Sequence, residues 1–131
     1  GRIKGMKPKF NLYTIPGQVY YAYSRKIILR GVDGIVFVAD SQADRLTENL
    51  DSLMDLEQNL IDEGKTLEDF PWVLQYNKRD VPRILSVAEL NRKLNFNAVP
   101  TIEAVASKGK GVLETLKVAI QGVVNHTQKV I

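Results

Sequence analysis

The fold class follows from one run of residues, Ile35-Val36-Phe37-Val38-Ala39-Asp40. Its apolar residues are continuous instead of alternating with polar ones, which is typical of a β-strand covered on both faces. Three more short apolar runs have the length of strands: Phe10 to Ile15, Trp72 to Tyr76, and Thr101 to Val105. We therefore predict four short, buried strands.

The segments that follow the two middle strands have helical patterns. Leucine recurs at spacings of three and four from Leu46 to Leu60, which gives one apolar helix face, and Gly64 is a natural C-terminal stop. Ser86 is followed three residues later by Glu89, the pattern of a capping box that opens a helix through Leu94. A helix is thus predicted after each of these two strands.

A last helix is predicted from about Val112 towards His126. The apolar residues expected to face inward are Leu113, Leu116, Ile120, Val123 and Val124. Strands that alternate with helices predict an α/β fold, a mostly parallel sheet with helices on both faces. In such sheets ligands bind at the carboxyl ends of the strands, so the residues that follow each strand are the candidates for function.

Composition excludes several classes of function for these 131 residues. They are 44% hydrophobic and 25% charged, which is ordinary for one globular domain. The absence of cysteine excludes a disulfide framework and a thiolate metal site, and it fits a reducing cytoplasm. The single histidine, His126, lies near the C-terminus, which excludes a histidine metal cluster and a serine–histidine triad. The basic residues behind the net charge of +3 are scattered, which disfavours nucleic-acid binding. The longest apolar stretches are far shorter than a membrane span.

The tetrapeptide Asn77-Lys78-Arg79-Asp80 follows the third apolar run. An ionised carboxylate at Asp80 can accept both N–H donors on the Watson–Crick edge of guanine, which adenine cannot match. Asn77 can meet the other edge and tie neighbouring loops together, and the aliphatic stem of Lys78 can cover the base. The alternative is an ordinary polar turn after a strand. The position directly after a predicted strand favours the guanine hypothesis.

Two further segments are candidates for contacts with a nucleotide. In Thr14-Ile15-Pro16-Gly17-Gln18, the Gly17 N–H can meet a terminal phosphate, and Gln18 can orient a water for in-line attack on it. Taken alone, Pro-Gly is more simply a turn that ends a strand. In the segment from Glu103 to Gly109, the small residue Ala106 would let its backbone N–H reach the guanine carbonyl oxygen. The alternative there is a plain strand-to-helix loop.

The order of these motifs resembles that of the Ras-like small GTPases. The stretch Asn11 to Tyr20, which contains Leu-Tyr-Thr-Ile-Pro-Gly-Gln, narrows the resemblance to the MglA-type GTPases of bacterial gliding motility and cell polarity. Further matching stretches are Ser24-Arg25-Lys26, Leu29 to Gly34 and Val36 to Ser41. The resemblance implies a Ras-like G domain that binds and hydrolyses GTP as a molecular switch, with GTP or GDP and magnesium as ligands of the intact protein.

The resemblance also implies roles for single residues. Guanine would be contacted by four of them: Asn77, Lys78, Asp80 and Ala106. Gly17 would meet the terminal phosphate and Gln18 would position the attacking water. Thr14 stands where most Ras-like proteins carry aspartate, and its hydroxyl would take part in magnesium binding without contributing charge. A dimeric activator of the roadblock type would dock at Gln18–Tyr23, and motility or cytoskeletal effectors are the other expected partners.

The phosphate-binding loop of this family, Gly-x-x-x-x-Gly-Lys-Ser/Thr, does not occur in the 131 residues. We therefore expect residues 1–131 to be the C-terminal two-thirds of a single small-GTPase domain that lacks its first strand and first helix. The absent strand would lie between the strands containing Leu12 and Phe37. Without the phosphate loop, the fragment is expected to bind neither nucleotide nor magnesium and to be inactive, although its parent would be a GTPase.

The alternative function is that of a nucleotide-free pseudo-GTPase scaffold that binds a protein partner. The retained Gln18 favours the GTPase, because a scaffold has no chemical use for a residue that positions water. A cytoplasmic protein without a transmembrane segment is expected in both cases.

Overall fold

The computed structural model describes residues 32–130, and the side chains of residues 32–128. Its strands are β1 (Ile35–Asp40), β2 (Trp72–Asn77) and β3 (Thr101–Glu103), and its helices are α1 (Leu46–Asp62), α2 (Val87–Leu94) and α3 (Val112–Val130). Short 3₁₀ turns span Ala43–Arg45 and Ala106–Lys108. The predicted strand from Phe10 to Ile15, and with it the sheet position beside Leu12, lies outside the described residues.

The three strands form a parallel sheet in the order β1-β2-β3. Ile35 lies opposite Trp72, and the pairing continues without a break to Asp40 opposite Asn77. Because the strands are parallel and in this register, the loops that leave β1 and β2 start side by side. The α/β class and the parallel arrangement predicted from the sequence are confirmed.

The strand boundaries differ from the prediction at two points. Strand β2 extends one residue further than the predicted Trp72 to Tyr76 and ends at Asn77. Strand β3 was predicted to reach Val105 but ends at Glu103, because Val105 leaves the parallel pairing and pairs with Lys110 instead. The backbone N–H of Val105 donates to the Lys110 carbonyl at 3.0 Å, and the N–H of Lys110 donates back at 3.1 Å. A closed loop therefore begins directly after β3.

The main core lies between the sheet and the helices α1 and α2. Its buried residues include Leu53, Leu56 and Leu60 of α1, Leu74 and Tyr76 of β2, and Leu90 and Leu94 of α2. The predicted capping box is present, since the Glu89 N–H donates to Ser86 Oγ at 3.1 Å and the Glu89 carboxylate accepts from the Ser86 N–H at 3.4 Å. Helix α1 ends as predicted, with Gly64 at φ 75°.

Helix α3 packs with a face that only partly matches the prediction. Three of the five residues predicted to face inward are half-buried: Leu116, Val123 and Val124. Leu113 is 64% exposed and Ile120 is 36% exposed, so the expectation that both point inward is wrong. The residue of α3 buried most deeply is Thr115, at 2% exposure, among those whose side chains are described. A Cβ on Gly34, just before β1, would overlap the Val123 side chain. Thr115 and Val123 therefore lie on the side of α3 that faces the sheet, and the absence of a side chain at Gly34 leaves room for Val123.

Within residues 32–130, none of the helices combines the length and the apolar character needed to cross a bilayer.

Candidate functional site

A cavity of about 390 Å³ opens at the carboxyl end of the sheet. Its wall is built by Gln42 after β1, by Asn77, Lys78, Asp80 and Val81 at the end of β2, and by Val105 and Ser107 after β3. This volume lies in the range of small-molecule sites, about 300–1,000 Å³. The loops of all three strands thus converge on one cavity, lined by both polar and apolar side chains, as the topology of a parallel sheet requires.

Asn77 joins two of these loops. Its side-chain Oδ1 accepts a hydrogen bond from the backbone N–H of Ala106 at 2.9 Å. Ala106 does not itself line the cavity, and its N–H is already engaged. For the Ala106 N–H to reach an oxygen of a bound base, this hydrogen bond must be shared or broken.

Lys78 is held by a carboxylate from the neighbouring strand. Its backbone has φ 62°, in the left-handed region that lysine seldom adopts. Its Nζ lies 2.9 Å from Oδ2 of Asp40, the last residue of β1. Lys78 therefore lines the cavity while its ammonium group is paired with the Asp40 carboxylate.

Asp40 is itself fixed from two sides. Its Oδ1 accepts from the backbone N–H of Gln42 at 3.0 Å, and its carboxylate also accepts from Gln42 Nε2. Its backbone N–H and carbonyl are both bonded to the side-chain amide of Asn49 on α1. Burial opposes ionisation, but the hydrogen bonds from Lys78 and Gln42 outweigh it, so the pKa of Asp40 lies below its ordinary value of 3.8.

Asp80 stands at the cavity rim with a replaceable partner. Its Oδ2 lies 3.3 Å from Lys108 Nζ, and the two side chains are 36% and 70% exposed. Exposed ion pairs of this kind contribute about 0–1 kcal/mol, so a ligand with two N–H donors can displace Lys108 at small cost. The geometry leaves the Asp80 carboxylate free to exchange partners, which recognition of a base demands.

Arg79, between Lys78 and Asp80, has a structural part. Its Nε donates to Glu103 Oε1 at 3.1 Å, and its guanidinium also donates to the Leu85 carbonyl at 2.6 Å. Its backbone N–H donates to the Ala104 carbonyl at 3.2 Å. Arg79 therefore fastens the loop to β3, and its neighbours Lys78 and Asp80 line the cavity.

Sequence reasoning missed Asp40 and Gln42. A signal was present, because Asp40 ends a predicted strand and the ends of parallel strands meet at one edge. The predicted residues Thr14, Gly17 and Gln18, and the partner region Gln18–Tyr23, lie outside the described residues. Among residues 32–130, no cluster of three or more histidine, aspartate or glutamate side chains is arranged to hold a metal ion.

Asp40→Asn is expected to destabilise the protein at neutral pH by about 1 kcal/mol, because Lys78 loses its carboxylate partner. Since folding lowers the pKa of Asp40, its contribution is present above the ordinary value of 3.8 and is lost as the pH falls through the folded value. The free energies of unfolding in urea of variant and unmodified protein should therefore converge in acid. Asp51→Asn, an exposed position on α1, is the control and should change little. A difference that persists undiminished in acid would contradict this account of Asp40.

The parallel sheet, its covering helices and the loop arrangement are those of a Ras-like G domain. The chain matches the model of the ADP-ribosylation factor (Arf) family over residues 2–130, and it belongs to that family. It is 49% identical to the mutual gliding-motility protein MglA of Myxococcus xanthus (strain DK1622) over 129 residues. The alignment covers 98% of this chain and 66% of the relative, so the chain spans slightly less than two thirds of that protein's length. The predicted resemblance to the MglA-type small GTPases is confirmed.

Proposed function

We propose that the complete protein, meaning residues 1–131 with any sequence that precedes them, is a cytoplasmic GTP-binding and GTP-hydrolysing switch for cell polarity or motility. In this proposal residues 32–130 supply the guanine-recognition part of the site. One observation carries it: Asn77, Lys78 and Asp80 line a single cavity at the carboxyl end of β2. The likeness to the gliding-motility protein MglA supports the biological role.

Guanine recognition would rest on the side chains already at the cavity. The Asp80 carboxylate would exchange Lys108 for the two N–H donors of the guanine Watson–Crick edge. Lys78, held by Asp40 at 2.9 Å, would cover the base with its stem. Adenine presents an acceptor and a donor on the same edge, which an ionised carboxylate cannot satisfy. The cavity would therefore prefer guanine to adenine nucleotides.

The phosphate side of the site is proposed from the sequence alone. Gly17 would contact the terminal phosphate through its N–H, Gln18 would position the attacking water, and the Thr14 hydroxyl would enter the water shell of magnesium. Magnesium, when bound, would neutralise charge on the phosphate oxygens. A roadblock-type activator would dock at Gln18–Tyr23, where three tyrosines suit an interface.

A titration with fluorescent GTP and GDP analogues tests the proposal. The complete protein should bind both saturably, unlabelled GTP should compete, and ATP should not compete at the same concentrations. Residues 1–131 alone are the comparison, and they should show no saturable binding at micromolar concentrations, because most affinity would come from a phosphate loop that they do not contain. A complete protein that binds a protein partner but no guanine nucleotide would instead be the pseudo-GTPase scaffold.

A further inference from the structure

The strand that leads into the cavity carries two buried polar side chains in succession. Gln75 and Tyr76 immediately precede Asn77 in β2, and they are 5% and 0% exposed. Successive side chains of a strand point to opposite faces of the sheet. A polar group buried in this way is costly unless it is hydrogen-bonded, so the partners of these two side chains show what the strand is attached to.

Gln75 is attached to the start of α3. Its Nε2 donates to Thr115 Oγ1 at 2.8 Å, and Thr115 Oγ1 donates in turn to the Gly111 carbonyl at 2.6 Å. Tyr76 is attached to α2 on the other face, because its hydroxyl donates to Asn91 Oδ1 at 2.7 Å. Burial raises the pKa of Tyr76 to about 12, which keeps that hydroxyl protonated as a donor.

The Gly111 end of this hydrogen-bond chain is pressed against β3. Gly111 has φ 81°, and a Cβ there would overlap the carbonyl oxygen of Glu103. The mutual hydrogen bonds between Val105 and Lys110 close the loop that lies between these two points. That loop carries Ala106, whose N–H meets the Asn77 side chain. Asn77 therefore holds this loop near its start, and Gln75, two residues earlier in β2, holds the end of the loop through Thr115.

We infer that Gln75 and Thr115 are positioning residues, which set the loop of Ala106 in register with Asn77 so that its N–H can recognise the 6-oxo group of guanine. The inference rests on the function proposed above. An apolar pair would fill the same buried space without any need to satisfy an amide and a hydroxyl. The polar pair differs because hydrogen bonds require particular distances and angles. Its hydrogen bonds are therefore satisfied only when strand and loop are correctly aligned.

The test is base discrimination by the complete protein and its Thr115→Val variant. Three ligands are compared: GDP, 6-thio-GDP and IDP. In 6-thio-GDP a weaker acceptor replaces the 6-oxo group, and IDP lacks the 2-amino group that Asp80 would bind. Thr115→Val should weaken GDP binding about tenfold, the equivalent of one lost hydrogen bond. The preference for GDP over 6-thio-GDP should fall by a similar factor, and the preference for GDP over IDP should not change.

Two further variants keep the result interpretable. Thr115→Ser retains the hydroxyl and should restore the preference for GDP over 6-thio-GDP, although it removes a packed methyl group. The double variant Gln75→Leu with Thr115→Val leaves no unpaired amide, so it should fold even if Thr115→Val alone does not, and it should still lack the preference. If either valine-containing variant folds and discriminates against 6-thio-GDP as the unmodified protein does, the inference is overturned. If the unmodified protein binds no GDP, the proposed function fails first.

Discussion

Asp80→Asn is expected to switch the nucleotide preference of the complete protein from guanine to xanthine. The amide keeps one acceptor and gains a donor, so it complements the N–H and the 2-oxo group of xanthine and no longer accepts two N–H donors from guanine. Losing one hydrogen bond and the negative charge, with the amide NH₂ left facing a guanine N–H donor, should weaken GTP binding by on the order of 10³-fold. Two displacement titrations measure both changes. GTP and XTP displace a fluorescent guanine nucleotide from the unmodified protein, and they displace a fluorescent xanthine nucleotide from the variant.

A matched control separates this effect from a general loss of charge. Asp69→Asn alters an exposed carboxylate in the turn before β2, at the amino end of the strand, whereas the cavity lies at the carboxyl end. It should bind GTP as the unmodified protein does. Equal affinity for GTP in Asp80→Asn and the unmodified protein would remove Asp80 from base recognition.

Gly111→Ala is expected to cause the largest loss of stability, about 3 kcal/mol or more. A residue other than glycine at φ 81° incurs the left-handed backbone penalty of about 1–2 kcal/mol. The new Cβ would also overlap the Glu103 carbonyl oxygen and lie 3.0 Å from the Cα of Ala104, both of which belong to the backbone and cannot turn aside. Urea denaturation of the variant and the unmodified protein measures the difference.

Gly109→Ala is the control that isolates the steric part. Gly109 has a similar φ of 71°, but nothing lies within 4 Å of a Cβ at that position. Its substitution should cost only the backbone penalty, about 1–2 kcal/mol. If Gly111→Ala were no less stable than Gly109→Ala, the close packing of Gly111 on β3 would be wrong.

Several elements were predictable because their signals are local. The run from Ile35 to Asp40 is a strand, as its continuous apolar character indicates, and Ser86 with Glu89 does cap a helix. The location of Asn77 and Asp80 was also predictable, because residues that follow a parallel strand lie at the carboxyl end of the sheet, where the cavity opens. Each of these inferences depends on residues close together in the chain and on one general rule of topology.

The orientation of α3 was not predictable in the same way. Its apolar residues recur mainly on one side of the helix, but the face that packs on the sheet is turned away from the centre of that side, so Leu113 and Ile120 are exposed. The face chosen contains Thr115, which is buried because Gln75 supplies a hydrogen-bond partner. A threonine among leucines and valines gives no sign of this before the partner is known.

Within residues 32–130, local patterns in the amino-acid sequence thus suffice to locate β1, β2 and β3, the start of α2 and the motif at the cavity. The pairs Lys78–Asp40, Ala106–Asn77 and Gln75–Thr115 are separated by 38, 29 and 40 residues along the chain. Their spacing carries no signal, because no regular element joins residues that far apart. Only the parallel pairing of β1, β2 and β3, with α3 packed against them, brings these side chains within hydrogen-bonding distance.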